Sequence, residues 1–176
     1  MNLAFRYNPV YSVADYQLWE GRWELIDGVA IAMTPSASGP HQSLAFRIGF
    51  KFGVQLQHVS LDELVLVHEL DWVIDSQNVV RPDFMICLGP LPEGHVTQAP
   101  VLICEVLSPS TSEKDRTVKF ALYEQRGVKY YLLADPNSTN IEVYRLVDSR
   151  YERQPTRLKH PFDLNDHHRI EIDFGG

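Results

Sequence analysis

Two nearly continuous apolar runs, at residues 83–88 and 101–107, constrain the fold of this chain more than any other feature of its sequence. Runs without polar alternation are typical of strands that are covered on both faces, at the centre of a sheet. Residues 112–126 have helical character and end before Gly127, a residue that suits a helix C-terminus, and a third apolar run follows at 129–134. Strand, helix and strand in this order predict a βαβ crossover.

A second helix is predicted at residues 41–57, because Leu44, Ile48, Phe52 and Leu56 recur every four positions. Together with the central runs, the two helices predict an α/β fold in which a mixed sheet carries a helix on each face. Shorter patterns predict a helix from Ser12 to about Glu20, a hairpin at 23–33 around Asp27 and Gly28, a loop at 34–40, one pair of strands at 64–67 and 72–74, and further strands at 141–146 and 169–174.

The length of 176 residues predicts a single domain over residues 1–176, with a core at about 10–155 and a weakly patterned tail at about 156–176. No apolar run reaches the roughly 18 residues of a membrane span. The first residues lack the basic and apolar segments of a secretory signal, and two cysteines are too few for a disulfide framework. These features predict a cytoplasmic protein with no membrane partner.

The net charge of −7 argues against binding nucleic acid through bulk electrostatics. The charges are unevenly distributed along the chain. Residues 1–113 contain five Lys and Arg against 13 Asp and Glu, whereas residues 114–159 contain ten against six. The second half could carry a basic surface, or its charges could lie on ordinary solvated faces. Charge alone favours the solvated faces.

Asp83 and Glu105 are lone carboxylates in the two central apolar runs. A buried charge costs several kcal/mol of desolvation unless it is paired or bound to a cation. Either residue could instead lie at a strand end and reach water, which is reasonable for Asp83 because it follows Pro82 at the start of a run. Glu105 has apolar residues on both sides, so this alternative is weaker there. Two carboxylates on neighbouring strands suit a hard cation such as Mg²⁺.

Asp115, Lys119 and Tyr123 fall at i, i+4 and i+8 of the predicted helix at 112–126 and therefore share one face. By periodicity alone they favour an exposed Asp–Lys pair, worth roughly 0.3–0.5 kcal/mol. Their location changes the balance, because this helix begins directly after the run that contains Glu105. A lysine in its first turns could reach a phosphate or an attacking water.

Several motifs of the sequence, taken together, resemble a bacterial restriction endonuclease family of the PD-(D/E)XK nuclease superfamily. The resemblance is carried by RPDFMI, ICEVLSPST, GVKYYLLADP, WELIDG and the spacing from Asp115 to Tyr123, and it covers roughly residues 10–155. It implies the restriction-endonuclease-like fold, with the hairpin as an N-terminal addition. It also implies Mg²⁺-dependent hydrolysis of phosphodiester bonds in nucleic acid, with DNA as the expected substrate, Mn²⁺ as a substitute ion and a homodimer as the expected assembly.

The resemblance also implies roles for individual residues. Asp83 and Glu105 match the two acidic residues of the family motif, so they would be catalytic and would hold the metal together with the backbone carbonyl of Val106. The superfamily pattern has a lysine two residues after the second acid, where this chain has Leu107. Lys119, on the following helix, is the matching lysine and the third expected catalytic residue.

Glu24 and His41 match auxiliary positions of the family. Taken by themselves, Glu24 could be a half-exposed strand residue, and His41 could be a residue at a helix start that is satisfied by solvent or a backbone carbonyl. Two other functions also remain open. One is a catalytically silent nucleic-acid-binding module on the same fold, favoured by the displaced lysine and the acidic net charge. The other is an interaction or structural protein. In such a protein, the side chains would not converge on one site, namely those of Glu24, Asp83, Glu105 and Lys119.

The carboxylate arrangement makes a prediction about the two cysteines. Because alternate strand residues point to the same side, Asp83 and Cys87 share one face of their strand, whereas Glu105 and Cys104 lie on opposite faces of theirs. If the two carboxylates meet at one site, the cysteines lie on opposite faces of the sheet. They should therefore be reduced and unable to form a disulfide.

Overall fold

The computed structural model describes residues 9–33, 38–91, 93–138 and 141–175, and the elements below lie within these ranges. In chain order they are α1 (Val13–Tyr16), β1 (Trp23–Ile26), β2 (Val29–Ala32), α2 (Gly39–Leu56), β3 (Leu64–His68), β4 (Trp72–Asp75), β5 (Asn78–Val80), β6 (Phe84–Leu88), β7 (Leu102–Val106), α3 (Ser112–Lys114), a π-helical segment (Asp115–Lys119), α4 (Phe120–Gln125), β8 (Tyr130–Ala134), β9 (Ile141–Val147), β10 (Arg150–Arg153), β11 (Lys159–Asp163) and β12 (Arg169–Asp173).

The main sheet has the strand order β10-β9-β8-β7-β6-β3. Strands β7 and β8 are parallel, with Glu105 opposite Leu133, and the neighbouring pairs are antiparallel. The predicted crossover is therefore confirmed, because the chain between β7 and β8 forms the helix at 112–125. The two central apolar runs become the adjacent strands β6 and β7, in the middle of this sheet.

A second sheet has the order β2-β1-β5-β4. Its β1–β2 hairpin turns at Asp27 and Gly28, which both have positive φ, 49° and 74°. Strand β4 pairs with β5, whereas β3 pairs with β6 in the main sheet, so the predicted pairing of 64–67 with 72–74 is wrong. Strand β5 was too short to be predicted from the sequence.

Helix α2 covers one face of the main sheet, as its periodicity predicts. Ile48, Phe52 and Leu56 are buried there, and Leu44 is partly buried against the same cluster. The helix begins at Gly39, before the predicted start, because Ser38 caps its first turn by accepting a hydrogen bond from the backbone N–H of residue 41. The predicted loop at 34–40 is thus shorter at its C-terminal end, and residues 34–37 lie outside the described part of the chain.

The helix at 112–125 and the second sheet cover the opposite face of the main sheet. The helix is not regular, since five of its residues form a π-helical segment between α3 and α4. It ends at Gln125, and Gly127, with a φ of 80°, follows the C-cap residue Arg126, as the sequence predicts. Both predicted helices therefore flank the sheet on opposite sides.

The weakly patterned residues after 155 form the antiparallel hairpin of β11 and β12, and β12 confirms the strand predicted at 169–174. Phe162 and Ile172 are buried in the cluster beneath α2. The ammonium group of Lys51 on α2 donates to the backbone carbonyls of Asp173, at 2.7 Å, and Gly175, at 3.0 Å. The C-terminal hairpin thus completes the core on the α2 side.

Three smaller expectations can be compared with the structure. The N-terminal helix is capped by Ser12 as predicted, but it ends at Tyr16 rather than near residue 20. Cys87 and Cys104 are free and buried, and they belong to the clusters on opposite faces of the sheet, which confirms the predicted arrangement. Within the described residues, the helices are too short or too polar to cross a membrane.

Candidate active site

One cavity of about 340 Å³ brings the expected functional residues together. It lies where the end of β7, the start of β6, the hairpin strand β1 and the first turns of both long helices meet. All the expected residues line it, namely Glu24, His41, Asp83, Glu105, Val106 and Lys119. The convergence required by the sequence analysis is therefore present, and the interaction-protein alternative, which predicts no convergence, loses its basis.

Glu105 on β7 is buried and meets the helix at 112–125. Its Oε1 accepts hydrogen bonds from the Lys119 ammonium, at 2.8 Å, and from the Tyr123 hydroxyl, at 2.9 Å. Burial raises the pKa of Glu105 to about 8, although the charge of Lys119 opposes this shift. The shared face of Asp115, Lys119 and Tyr123 is thus confirmed, but it is buried against the sheet rather than exposed.

Glu24 reaches the same lysine from the other sheet. Its side chain is 0% exposed, and its Oε1 lies 2.6 Å from the ammonium of Lys119. The Oε2 atom lies 2.5 Å from the ammonium of Lys114, and the backbone N–H of Arg81 donates to Oε1 at 3.1 Å. Burial alone would raise the pKa of Glu24, but the two lysines hold it below its usual value. The half-exposed alternative for Glu24 is therefore wrong.

Asp83 lies just before β6 and is held by two groups. Its Oδ2 accepts a hydrogen bond from the backbone N–H of Val106 at 2.6 Å, and Nε2 of His41 lies 3.4 Å from the same oxygen. The hydrogen bond with Asp83 raises the pKa of His41, and burial opposes it. His41 therefore contacts the carboxylate of Asp83, and it is not simply a residue at a helix start that faces solvent.

Asp115 adds a carboxylate that the sequence analysis placed on the helix face but did not assign to the site. Its Oδ1 is buried without a hydrogen-bond partner and lies 3.8 Å from the ammonium of Lys119. Burial raises its pKa, and the charge of Lys119 opposes the shift. A buried, unpartnered oxygen beside the cavity is a position at which a bound cation or water would be stabilised.

Lys114 is the residue that the sequence analysis missed most clearly. In a regular helix, side chains five positions apart point in different directions, so Lys114 and Lys119 would not meet one carboxylate. The π-helical segment has i→i+5 geometry and lies between them. It brings both lysines to Glu24, and a π-helical turn has no signal in the spacing of apolar residues.

The charges of the site are unequal. The cavity is lined by five carboxylates, those of Glu24, Glu69, Asp83, Glu105 and Asp115, and by four Lys and Arg side chains, those of Arg22, Arg81, Lys114 and Lys119. Formal negative charge therefore exceeds positive charge by one, and either a further cation or a proton on Glu105, whose pKa is raised, offsets this difference. Among the described residues, no three His, Cys, Asp or Glu side chains are grouped as a metal site.

The candidate donors for a cation, as the resemblance implies, are two carboxylates and a backbone carbonyl, those of Asp83, Glu105 and Val106. All three supply oxygen, the ligand atom that hard divalent cations prefer. Both side-chain contacts of Glu105 use Oε1, and those of Asp83 use Oδ2. Each carboxylate therefore has a second oxygen outside these contacts, so the residues present fit such an ion.

The basic residues of the second half do not form an unopposed basic surface. Seven of its ten Lys and Arg side chains are paired with carboxylates, including Arg116–Glu142 at 2.6 Å, Arg150–Glu124 at 2.9 Å, Arg153–Glu142 at 3.8 Å and Arg145–Asp163 at 4.0 Å. The structure therefore favours solvated, ion-paired faces over a broad basic patch. Any attraction for an anionic polymer has to come from a smaller group of residues.

Comparison with known proteins agrees with this architecture. A curated relative, "Uncharacterized protein slr1290" of Synechocystis sp., is 30% identical over 152 residues, which cover 80% of this chain and 76% of the relative. A crystal structure described as "a putative nuclease belonging to DUF820" from Anabaena variabilis superposes with a TM-score of 0.72 at 18% identity, covering 93% of this chain and 94% of that one. The structural likeness shows the restriction-endonuclease-like fold predicted from the sequence.

A protein-family match extends over most of the chain. Residues 13–173 match the family Uma2, whose description is "Putative restriction endonuclease". The match includes the C-terminal hairpin as well as each of the expected site residues. By its sequence and by the fold that this sequence adopts, the chain belongs to the Uma2 family.

Proposed function

We propose that this protein is a divalent-metal-dependent endonuclease that hydrolyses phosphodiester bonds of nucleic acid, with DNA as its substrate. The observation that carries the proposal is the convergence of Asp83, Glu105 and Lys119 on one acidic cavity, with Glu24 and His41 beside them. Family membership and the fold of the Anabaena protein support a nuclease-like role. Mg²⁺ is the proposed ion and Mn²⁺ its substitute.

In this proposal, Asp83, Glu105 and the carbonyl of Val106 hold the metal. A metal ion bound there supplies a more acidic water and offsets negative charge on the phosphate. His41 and the backbone N–H of Val106 fix the orientation of Asp83. Lys119 contributes a positive charge next to Glu105, where charge on a bound phosphate would be stabilised. Glu24 holds Lys119 in place from the second sheet.

A catalytically silent nucleic-acid-binding module is the second candidate. It is favoured by the position of Lys119, whose side chain is only 3% exposed and lies near three carboxylates, Glu24, Glu105 and Asp115. A lysine so enclosed has to leave at least one partner before it can touch a substrate. This candidate predicts binding without cleavage.

Cleavage of supercoiled plasmid DNA separates the two candidates. The wild-type protein is incubated with Mg²⁺, with Mn²⁺ or with EDTA, beside Glu105→Gln and the matched control Glu171→Gln, whose side chain is exposed on β12. An endonuclease nicks or linearises the plasmid only with metal; Glu105→Gln abolishes the activity and Glu171→Gln retains it. Metal-independent cleavage, or cleavage that survives Glu105→Gln, contradicts the proposal. Binding without cleavage supports the silent module.

The proposal includes a homodimer, which the family resemblance implies, because two sites in one assembly can cut both strands of a duplex in one binding event. Sedimentation or light scattering measures the mass directly, and a mass near twice 20.2 kDa is the expected result. A stable monomer that linearises plasmid in one binding event would contradict the homodimer and leave the nuclease proposal intact.

A further inference from the structure

The positive charges on the cavity wall are not equivalent. Among the lining residues that the structure describes, three Lys and Arg side chains are paired with carboxylates that also line the cavity. These pairs are Arg22–Glu69 at 3.0 Å, Lys114–Glu24 at 2.5 Å and Lys119–Glu24 at 2.6 Å. The positive charge of each of these side chains is therefore offset by a carboxylate on the cavity wall, which is the side from which a substrate would approach.

Arg81 lines the cavity as well, but its partner lies outside the lining. Its Nε lies 2.6 Å from Oδ1 of Asp71, and Asp71 is only 4% exposed. The Arg81 side chain is 20% exposed. The carboxylate that pairs with Arg81 is therefore not part of the cavity wall. Among the described residues, no lining carboxylate forms an ion pair with Arg81, although the charge of Glu69 also acts on it.

Asp71 is itself held firmly. The hydroxyl of Tyr16 donates to its Oδ2 at 2.8 Å, and the backbone carbonyl of Asp71 accepts from the N–H of Val96 at 2.9 Å. Nδ1 of His95 lies 3.7 Å from the same Oδ2. Helix α1 and the segment before β6 are therefore joined through one buried carboxylate, and this arrangement fixes the direction of Arg81.

The backbone ties Arg81 to the candidate metal residues. Its N–H donates to Glu24, and Asp83 follows two positions later after Pro82. The ion pair with Asp71 uses Nε, at the base of the guanidinium, and the two terminal nitrogens are not part of that pair. A guanidinium can bind phosphate through two parallel hydrogen bonds, which an ammonium cannot do.

We propose, on the basis of the function proposed above, that Arg81 binds a phosphate group of the nucleic-acid backbone at the cavity, and that Asp71 and Tyr16 are positioning residues for it. The carboxylates of the cavity repel a polyanion, so a positive charge that is not paired with a lining carboxylate is needed on its wall. Arg81 supplies this charge beside Asp83, where it would hold the strand next to the bond that is cut. The surface arginines of β9 and β10 are neutralised locally and do not supply it.

The test measures DNA binding apart from cleavage. A fluorescein-labelled DNA duplex is titrated in EDTA with wild type, Arg81→Ala and Arg22→Ala across a salt series. Arg22 is the matched control, because it is an arginine of the same cavity whose partner faces the cavity. Removing Arg81 should weaken binding about tenfold and lower the slope of log K against log salt by about 0.9, the value for one lost phosphate contact. Arg22→Ala should change the slope by less than half as much.

Asp71→Asn tests the positioning role. It should weaken binding and lower the salt slope in the same direction as Arg81→Ala, and the double variant Arg81→Ala/Asp71→Asn should bind no worse than Arg81→Ala. A purely structural ion pair would change the melting temperature and leave the salt slope untouched. The double variant also removes the unpaired buried carboxylate, so it keeps the test valid if Arg81→Ala does not fold.

The outcomes also separate this inference from the proposed function. Equal slopes for folded Arg81 variants and wild type overturn the inference, as does an equal effect of Arg22→Ala. If plasmid cleavage is still observed in that case, the nuclease proposal stands. If the wild type binds DNA through Arg81 but does not cleave it, the inferred phosphate contact stands and the proposed nuclease activity is contradicted. A wild type that binds no DNA in EDTA overturns the inference, and the absence of plasmid cleavage with Mg²⁺ or Mn²⁺ overturns the nuclease proposal.

Discussion

The two faces of the main sheet are made of alternate residues of the same strands, yet they bury different chemistry. On β7, Cys104 points to the α2 face and joins an apolar cluster, whereas Glu105 points to the opposite face and joins a cluster of charges. Helix α2 brings aliphatic and aromatic side chains such as Phe52 to its face. The helix at 112–125 also brings apolar side chains such as Leu122 to a second apolar cluster, but in addition it brings Asp115 and Lys119 to the charges around Glu105.

This difference separates stability from function. An apolar face stabilises the fold by burial and packing. A buried ion pair is seldom more stabilising than an apolar replacement, because desolvation offsets the attraction between its charges. The charges around Glu105 therefore have to be explained by chemistry, and the four predictions below test that separation.

Phe52→Ala should have the largest effect on stability. Phe52 is fully buried against the rings of Phe84 and Phe162, at centroid distances of 5.7 and 5.2 Å. Loss of the ring and the resulting cavity should cost about 3–5 kcal/mol in urea unfolding. If the faces are separate, the folded fraction keeps its DNA affinity and any cleavage activity. A selective loss of either function in folded protein would break the distinction.

Lys119→Met should cost somewhat less, about 3 kcal/mol, although it leaves three carboxylates without their shared cation. The cost is limited because Glu105, whose pKa is already raised, can take up a proton instead. Lys159→Met on the exposed start of β11 is the control and should change stability by less than about 0.5 kcal/mol. If the Lys119 variant were as stable as wild type, the three carboxylates would not need the ammonium group of Lys119 for their burial, which would contradict the prediction.

Glu105→Gln should change the pH dependence of stability. The pKa of Glu105 is raised by burial to about 8 from an ordinary 4.5, so the folded protein holds this proton more tightly than the unfolded chain. Its stabilising contribution is complete below about pH 4.5 and is lost as the pH rises through about 8. The slope in this window is at most about 1.4 kcal/mol per pH unit.

Urea unfolding between pH 5 and pH 8, in EDTA, measures this effect. Wild type and the control Glu171→Gln should lose stability as the pH rises, whereas Glu105→Gln should lose less and be at least as stable as wild type near pH 8. The raised pKa of His41 acts in the same sense and remains in all three proteins. Parallel curves for Glu105→Gln and wild type would contradict a buried, protonated Glu105.

The cysteines should give the smallest effect. Cys87 and Cys104 are buried on opposite faces of the sheet, so oxidation cannot join them without unfolding. Removing reductant should leave the melting temperature unchanged, and thiol titration of denatured, non-reduced protein should find two free thiols. A disulfide between them would contradict the strand phasing on which the comparison of the faces depends.

Much of this architecture could be predicted because it depends on local patterns. The apolar runs of β6 and β7 identify the sheet centre, and the four-residue repeat from Leu44 identifies α2. The lone carboxylates were visible because a charge in an apolar run is costly. The strand predicted at 169–174 is confirmed as β12, but β11 and its pairing with β12 were not predicted, since the buried residues of β11 alternate with polar ones over only five positions.

The sequence by itself determined that the strands β6 and β7 would be buried and central, that α2 would cover one face of the sheet, and that the carboxylates of Asp83 and Glu105 needed an explanation. Only the tertiary structure decided how those carboxylates are paired. Glu24 comes from another sheet, Lys114 reaches it through a π-helical segment, and Arg81 is held by a carboxylate outside the cavity. The reason is physical: burial leaves a periodic pattern along the chain, whereas a contact between charges depends on the distance between elements that are far apart in sequence.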